Sequence, residues 1–314
     1  MRVDVSIIIC TRNRAAYLSG TLKSLAAIKT PFEWEAVLVD SSSNRDTAEL
    51  IASADHCDGR LRYLYKPGLG LGAARDAAWR YARGEILCFT DDDCYLAPDY
   101  IDAVMNAFSE RPRAGCIGGR ILLYDPIDAE TTIDDRTKPA RIAPYSFVFP
   151  GMLQGANIAF RREALQASGG FDPALGAGTP YPCEDIDAVA AVIWSGYEAW
   201  FDPRPLIYHH HRRKPADLPV LHRNYDRGRG AFYAKWSGRR GSRVLFLRKW
   251  ITSSKHNPYY KLPNFVSEMG GSLRYAREFQ GLPGQFRVVF VGLAMLGVLG
   301  LVKLGRAYRG SSAG

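Results

Sequence analysis

Residues 85–93 read Glu-Ile-Leu-Cys-Phe-Thr-Asp-Asp-Asp, a short apolar run that ends in three consecutive carboxylates. A short apolar run bounded by polar residues is typical of a buried strand. Similar runs occupy residues 5–10, 34–39 and 61–65, and segments with helical spacing or turn residues separate them. Repeated strand–helix units place successive strands side by side in parallel. The sequence therefore predicts an α/β fold whose mostly parallel sheet is flanked by helices.

Polar clusters follow three of these strands, at residues 11–14, 40–44 and 91–93. The carboxyl ends of parallel strands meet at one edge of a sheet, and ligands of such sheets bind beyond that edge. We therefore expect the functional site where the three clusters come together.

The acidic cluster at residues 91–93 predicts a metal site. Asp91 and Asp93 are two residues apart, so they share one face of an extended chain. Two carboxylates on one face suit Mg²⁺ or Mn²⁺ carrying a diphosphate, and a cation would relieve their mutual repulsion. The alternative is a solvated turn, or a cap for the helix predicted over residues 98–108.

A glycine-rich loop, residues 67–72, joins the third strand to a helix predicted over residues 73–82. Carboxylates lie about 20 residues further on, so the loop approaches a dinucleotide-binding fingerprint. Two features argue against that function. The unit is the third strand–helix crossover rather than the first, and three aspartates stand where a ribose needs one. Arg75, in the first helical turn, is placed where a phosphate would lie.

Two further clusters have the residue types of a catalytic site. Glu184 and Asp185 begin a predicted helix, where an acid could serve as a cap favoured by the helix dipole or as a general base. Residues 209–211 are three histidines, and one imidazole could complete the metal site. The alternative for the histidines is a basic, partly exposed strand end.

Six segments occur in an order known from one enzyme family. They read Cys-Thr-Arg-Asn-Arg at residues 10–14, Val-Asp-Ser-Ser-Ser at 39–43, Gly-Leu-Gly-Ala-Ala-Arg-Asp at 70–76, Phe-Thr-Asp-Asp-Asp at 89–93, Gly-Gly-Phe-Asp at 169–172 and Glu-Asp at 184–185. Together they closely resemble the family 2 glycosyltransferases, which are inverting enzymes with the GT-A fold, a Rossmann-like nucleotide-sugar domain. The resemblance covers residues 3–213.

The resemblance implies a role for each matching residue. The nucleotide-sugar donor would be bound by Thr11, Arg12, Arg14, Asp40, Arg75 and Asp92. The DxD motif that holds the metal would be formed by Asp91 and Asp93, with His209 as a further ligand and His211 as second choice. The catalytic base would be Asp185, while the donor sugar or acceptor would be surrounded by Gln154, Asn157 and Glu184. Asp76 departs from the family, which commonly has Asn there, and is assigned no contact.

The activity implied by the resemblance is inverting, metal-dependent sugar transfer. The donor would be a UDP-, GDP- or dTDP-sugar, and the acceptor a hydroxyl of a glycan or lipid-linked molecule, as in cell-envelope or exopolysaccharide synthesis. The alternative is a non-catalytic protein of the same fold that binds a nucleotide sugar or a carbohydrate. The intact set of Asp91, Asp93 and Asp185 favours the enzyme.

Charge is distributed unevenly along the chain. Residues 1–203 carry a net charge of −8 and residues 204–314 a net charge of +17. The basic part also contains many aromatic residues and an apolar run at residues 288–302. At ~1.5 Å per residue the run covers roughly 22 Å, short of the ~30 Å hydrocarbon core of a membrane. We expect peripheral or shallow association with an anionic membrane on its cytoplasmic side.

Two other interpretations of the basic part are a helical subdomain packed on the first domain and a nucleic-acid-binding surface. Nucleic-acid binding is disfavoured because the sequence has no motif of a nucleic-acid-binding fold. The predicted domains are a catalytic domain at residues 1–235 and a basic, apolar helical region at residues 236–314.

Composition limits the class of protein. A hydrophobic fraction of 47% excludes a disordered chain. The six cysteines have no zinc or C-x-x-C spacing, which predicts reduced thiols in a cytosolic protein. The first ten residues lack the apolar core of a signal peptide, in agreement with that location.

Overall fold

The computed structural model describes residues 2–53, 57–256 and 261–311. The chain divides into two compact units. The first comprises Met1–Thr179 and Glu184–Leu218, and the second comprises Pro180–Cys183 and Pro219–Gly314. The boundary predicted at residue 235 lies inside a continuous helix, Leu218–Gly238. The second unit therefore begins earlier in the chain than the sequence predicts.

In the described residues, the first unit contains one sheet of nine strands. They are β1 (Val5–Thr11), β2 (Trp34–Asp40), β3 (Leu61–Tyr65), β4 (Ile86–Asp91), β5 (Cys94–Leu96), β6 (Ala114–Leu123), β7 (Ala140–Ile142), β8 (Asn157–Arg161) and β9 (Glu198–His209). Their order is β3-β2-β1-β4-β8-β6-β9-β5, and β7 pairs with β9.

The sheet is mixed rather than mostly parallel. Strands β3, β2, β1 and β4, which belong to the strand–helix repeats, are parallel as predicted. Strand β8 is antiparallel to both of its neighbours, β4 and β6. Among the described strands in the second half of the sheet, β6 and β9 are the pair that is parallel. The α/β architecture with flanking helices is confirmed, whereas the prediction of a mostly parallel sheet is correct for the repeats alone.

Helices cover the sheet of the first unit. They are α1 (Ala15–Ala26), α2 (Asp46–Ala52), α3 (Leu71–Tyr81), α4 (Tyr100–Ser109), α5 (Arg162–Ser168) and α6 (Glu184–Trp194). Alternate side chains of β1, including Ile7 and Ile9, pack in one core cluster with Leu18 and Leu22 of α1. Burial of these alternating and helically spaced side chains is what fixes α1 against the sheet.

The second unit is helical in its described residues. Its helices are α7 (Leu218–Gly238), α8 (Arg243–His256), α9 (Leu262–Phe279) and α10 (Gly281–Ser311). Trp236 of α7 stacks on Phe246 of α8, with ring centroids 5.5 Å apart. Glu268 of α9 is fully buried and accepts hydrogen bonds from Arg229 and from the indole of Trp250, at 2.6 and 2.7 Å.

Across the described ranges, no helix is at once long enough and apolar enough to span a bilayer.

Candidate functional site

The carboxyl ends of β1, β2 and β4 lie side by side, as the sequence predicts. Cys10 of β1 pairs with Asp91 of β4, and Thr11 pairs with Asp40 of β2. The chain turns after Asp91 before β5 begins. The three polar clusters therefore meet at one edge of the sheet, where they form the candidate site.

A group of potential metal ligands lies at this edge. Ligand atoms of Asp91, Asp93, Cys94 and His209 lie within 4.8 Å of one another. Two carboxylates and an imidazole are a donor set that fits Mg²⁺ or Mn²⁺. Cys94 packs in the hydrophobic core, and burial raises the pKa of its thiol well above the ordinary value. The two aspartates and the histidine are therefore the candidate ligands.

Of the three consecutive histidines, His209 has the geometry of a ligand. Its Nε2 lies 3.3 Å from Oδ1 of Asp93, and its Nδ1 lies 3.3 Å from the hydroxyl oxygen of Thr132. An oxygen partner at one ring nitrogen orients an imidazole whose other nitrogen binds a metal. His210 instead bonds to the Tyr95 hydroxyl, and Nδ1 of His211 accepts the backbone N–H of Arg213. The geometry thus favours His209 over its neighbours.

Opposite charges keep Asp93 ionised. Burial raises the pKa of this carboxyl, but the hydrogen bond and charge of His209 and the Arg14 guanidinium outweigh it and lower the pKa to about 2. Burial lowers the pKa of His209, yet Asp93 and Asp91 raise it above its ordinary value. A metal ligand must be deprotonated, and Asp93 meets that condition at neutral pH.

Asp92 is buried and bonds to residues at the end of β1. Its Oδ2 accepts a hydrogen bond of 2.6 Å from the Thr11 hydroxyl, and its Oδ1 lies 3.4 Å from Nε of Arg14. Burial raises the pKa of Asp92 to about 7, although Arg14 opposes the shift. Thr11 and Arg14 thus both contact Asp92 and hold the end of β1 against the acidic loop. The contacts of these three residues with a donor, which the resemblance implies, stay predictions.

Arg75 is buried and connects the end of β4 to the start of α6. Its Nη2 lies 3.0 Å from Oδ1 of Asp91, and its Nη1 lies 3.0 Å from Oε1 of Glu184. Nη2 also donates to the carbonyl oxygen of Gly155. The side chain is 3% exposed. In this structure protein oxygens bind the guanidinium in the interior, and the predicted contact of Arg75 with the donor phosphates stays a prediction.

Asp185 is the accessible member of the acidic pair that begins α6. Burial raises the pKa of its neighbour Glu184 to about 7 against the charge of Arg75. Asp185 is half-buried, and its Oδ2 and Oδ1 accept the backbone N–H groups of Gly155 and Ile186, each at 2.8 Å. A fixed, partly exposed carboxylate has the geometry that a general base needs.

Asp40 shapes the loop that follows β2. Its Oδ1 accepts the N–H of Ser42 at 2.8 Å, and its Oδ2 accepts the Tyr63 hydroxyl at 2.6 Å. Asn13 joins this loop to the one after β1, because its N–H donates to the hydroxyl of Ser42. Arg12, in the loop after β1, is exposed. The predicted contacts of Asp40 and Arg12 with a nucleotide stay predictions.

Asn157 lies inside the sheet. It is 1% exposed, accepts a hydrogen bond from the Tyr100 hydroxyl and donates to backbone carbonyls of β6 and β9. Its amide thus connects β8 to β6 and β9, and the predicted place of Asn157 under the donor sugar or acceptor stays a prediction. Gln154 is half-buried and donates to the carbonyl oxygen of Ile133 at 3.1 Å, and its predicted contact with sugar or acceptor stays a prediction.

Two amides that follow the glycine-rich loop already have protein partners. The N–H groups of Leu71 and Gly72, at the start of α3, donate to the carbonyl oxygens of Ala177 and Leu175. A Cβ at Gly72 would overlap the same Leu175 oxygen. Pyrophosphate binding by a dinucleotide fingerprint needs these first-turn amides, so the structure argues against that alternative. The glycines instead let α3 approach residues 172–177.

Sequence reasoning missed Gly155. Its N–H bonds to Asp185 and its carbonyl oxygen to Arg75. A Cβ there would overlap the Arg75 guanidinium and the Cβ of Asp185. The available signal was the glycine itself, because a glycine beside a strand often marks a close approach of other groups. Thr132, which orients His209, lies in a long loop and had no sequence signal.

Known proteins resemble this chain in sequence and in fold. The family described as Glycosyl transferase family 2 matches residues 6–169, just over half of the chain. A protein of Sinorhizobium fredii named "Uncharacterized protein y4gI" is 27% identical over 298 residues, which are 84% of this chain and 29% of that protein. Validoxylamine A glucosyltransferase of Streptomyces hygroscopicus subsp. jinggangensis is 31% identical over 124 residues, 39% of this chain and 29% of that enzyme. The chain therefore spans less than a third of either relative.

A third relative is covered more fully. The putative teichuronic acid biosynthesis glycosyltransferase TuaG of Bacillus subtilis is 25% identical over 173 residues, 51% of this chain and 68% of that protein.

Solved structures share the fold. The mannosyltransferase PcManGT of Pyrobaculum calidifontis, in complex with GDP-Man and Mn²⁺, superposes with a TM-score of 0.60 at 20% identity, over 100% of this chain and 84% of that chain. S. aureus TarS 1–349, in complex with UDP-GlcNAc, gives a TM-score of 0.61 at 15% identity, over 88% of this chain and 81% of that chain. At these identities the likeness concerns the fold alone, a mixed α/β sheet of the GT-A type.

Proposed function

This chain belongs to glycosyl transferase family 2, and from that membership we propose that it transfers a sugar from a nucleoside-diphosphate donor to a hydroxyl of a glycan or lipid-linked acceptor. One observation carries the proposal. Arg75 and Gly155 join Asp91, a candidate metal ligand, to the half-buried carboxylate of Asp185. This connection supports the proposal, because it would place a diphosphate and a base close together at one sheet edge.

The donor side of the reaction would use Asp91, Asp93 and His209. The diphosphate leaving group gains negative charge as the anomeric bond breaks, and a bound Mg²⁺ or Mn²⁺ would stabilise that charge. The complexes of PcManGT with GDP-Man and of TarS with UDP-GlcNAc support a nucleotide-sugar donor for this fold. The candidate donors are UDP-, GDP- and dTDP-sugars.

The acceptor side would use Asp185. Its carboxylate accepts the proton of the acceptor hydroxyl, whose oxygen then forms a bond to the anomeric carbon. On the opposite face of the sugar, the bond between that carbon and the diphosphate oxygen breaks, and its electron pair leaves with the nucleoside diphosphate. Attack from the face opposite the leaving group inverts the configuration, and no covalent enzyme intermediate is needed. The name of the TuaG relative supports a cell-envelope glycan as acceptor.

The donor site can be tested by thermal denaturation of the full chain with UDP-, GDP- and dTDP-sugars, each with Mn²⁺ or with EDTA. A ligand that binds only the folded state raises the melting temperature. We expect one donor class to do so, and only with Mn²⁺. Asp93→Asn should abolish the shift. Asp76→Asn is the matched control, because the Asp76 carboxylate bonds to Trp79 and Arg80.

Two results would contradict the donor site: no shift with any donor class, or an equal shift with Mn²⁺ and with EDTA. The non-catalytic alternative makes a different prediction. A binding protein would give the shift but would not slowly hydrolyse the donor in the absence of acceptor, whereas a transferase would.

A further inference from the structure

Helix α10 is apolar around its whole circumference in the part whose side chains are described. Between residues 281 and 297 the only charged residue is Arg287. One face, which includes Val288, Val291 and Met295, is buried, and the helix packs against α8 and α9. The opposite face carries six large apolar side chains that are 47–72% exposed: Leu282, Phe286, Val289, Phe290, Leu293 and Leu296. We call these six residues the outer face of α10.

The outer face of α10 is unusual for a helix in contact with water. The solvent side of such a helix is normally polar, and a helix that is apolar all round is normally buried in protein or in a membrane. The spacing of the six residues places them in one continuous stripe rather than as scattered side chains. A contiguous exposed apolar patch marks an interaction surface.

The charge of the second unit indicates what covers this face. Residues 219–314 contain 17 Lys and Arg but only 3 Asp and Glu, a net charge of +14. Asp226 and Glu268 are buried, and both bond to Arg229. The third acid, Glu278, accepts a hydrogen bond from Tyr181. Little negative charge therefore remains in the second unit to balance its Lys and Arg side chains.

We propose that the outer face of α10 inserts in the plane of an anionic membrane, with the basic side chains of the second unit contacting lipid headgroups. A helix that lies in the membrane interface buries its exposed apolar face a short way into the headgroup boundary and does not cross the bilayer. Exposed Arg274 and Arg277 of α9 and Arg243 of α8 supply attraction to the anionic cytoplasmic leaflet.

A second copy of the chain is a poorer occupant of the outer face. It would bring two units of net charge +14 into contact, and like charges in contact repel each other. An anionic lipid surface complements both the charge and the apolar stripe. The proposal concerns the second unit and stands apart from the transfer reaction, so each can fail without the other.

Vesicle flotation with the full chain tests the proposal. We expect binding to vesicles that contain phosphatidylglycerol and weak binding to vesicles of phosphatidylcholine alone. Part of the binding should survive high salt, because apolar burial is not screened. The double variant Phe286→Ser/Phe290→Ser should weaken binding by about 100-fold or more, since burial of one phenyl ring changes a partition constant by roughly tenfold or more.

Ile127→Ser is the matched control. Ile127 lies in the first unit and is 70% exposed, against 72% for Phe286 and 65% for Phe290, so its loss should leave flotation unchanged. The melting temperature of each variant checks its folding, which exposed positions should not disturb.

Three results would overturn the proposal. The full chain could fail to float with phosphatidylglycerol vesicles at low salt. The double variant could float as well as the wild type, which would leave charge alone as the cause. Alternatively, the chain could be a dimer that the double variant converts to a monomer without any change in flotation, which would assign the outer face to a second copy.

Discussion

At the scale of single residues, the site depends on how carboxylates at adjacent positions are distinguished by their surroundings. Asp93 faces His209 and Arg14 and has a lowered pKa, whereas burial raises the pKa of Asp92. Glu184 is buried against Arg75, while Asp185 remains partly exposed. The sequence predicts that these acids are functional, but it does not predict the surroundings that set the pKa of each carboxyl, because the partners are distant in the chain.

Arg75 provides a prediction about stability. Its guanidinium is buried between Asp91 and Glu184, and removing one partner of a buried ion pair typically costs about 3–5 kcal/mol. We expect Arg75→Met to lower the free energy of unfolding by that amount in urea denaturation. The exposed pair of Arg80 with Asp76 gives the control, since Arg80→Ala should cost no more than about 0.5 kcal/mol.

The double variant Arg75→Met/Glu184→Gln distinguishes lost charge pairing from lost packing. Because Glu184→Gln removes the unpaired buried charge, the double variant should be more stable than Arg75→Met alone. An Arg75→Met variant as stable as the Arg80→Ala control would contradict the buried connection.

At the scale of elements, the regular strand–helix repeats were predictable and the second half of the sheet was not. Strand β6 contains Gly115, Gly118 and Gly119, which interrupt the apolar pattern of a strand. Strand β9 contains Asp-Pro-Arg-Pro at residues 202–205, and proline disfavours the interior of a sheet. The structure continues the strand through this segment, and its pairing with β6 shifts register there. Tertiary pairing therefore overrides local sequence preference in both strands.

Two adjacent glycines of α9 test the packing of the second unit. A Cβ at Gly270 would meet nothing within 4 Å, whereas a Cβ at Gly271 would overlap the backbone of Arg227. Alanine favours a helix over glycine by roughly 0.5–1 kcal/mol. We expect Gly270→Ala to stabilise the unit by about that amount, and Gly271→Ala to destabilise it by about 1–3 kcal/mol through overpacking.

Both values can be measured by urea denaturation followed by circular dichroism. If Gly271→Ala were as stable as Gly270→Ala, the close packing of α9 on α7 would be contradicted.

At the scale of the whole molecule, the chain combines an acidic unit that carries the candidate site with a basic helical unit. The division of charge follows from the sequence because it is a count of residues. The sheet edge that holds the site also follows, because the end of a strand is a local property of the sequence. The engagement of Arg75 with Glu184 does not follow, since the two residues are 109 positions apart. Gly155 is essential to the same connection and carried only a weak signal.

The central claim is that Asp185 removes the acceptor proton at a site where the donor is held by other residues. The most direct test is the turnover of Asp185→Asn with its donor, measured beside donor affinity. Asparagine keeps the size of the side chain and one acceptor oxygen but is not basic. We expect affinity to stay near the wild-type value and turnover to fall by ~10²–10⁴-fold. Turnover near the wild-type rate would contradict the claim and assign the proton transfer to another group.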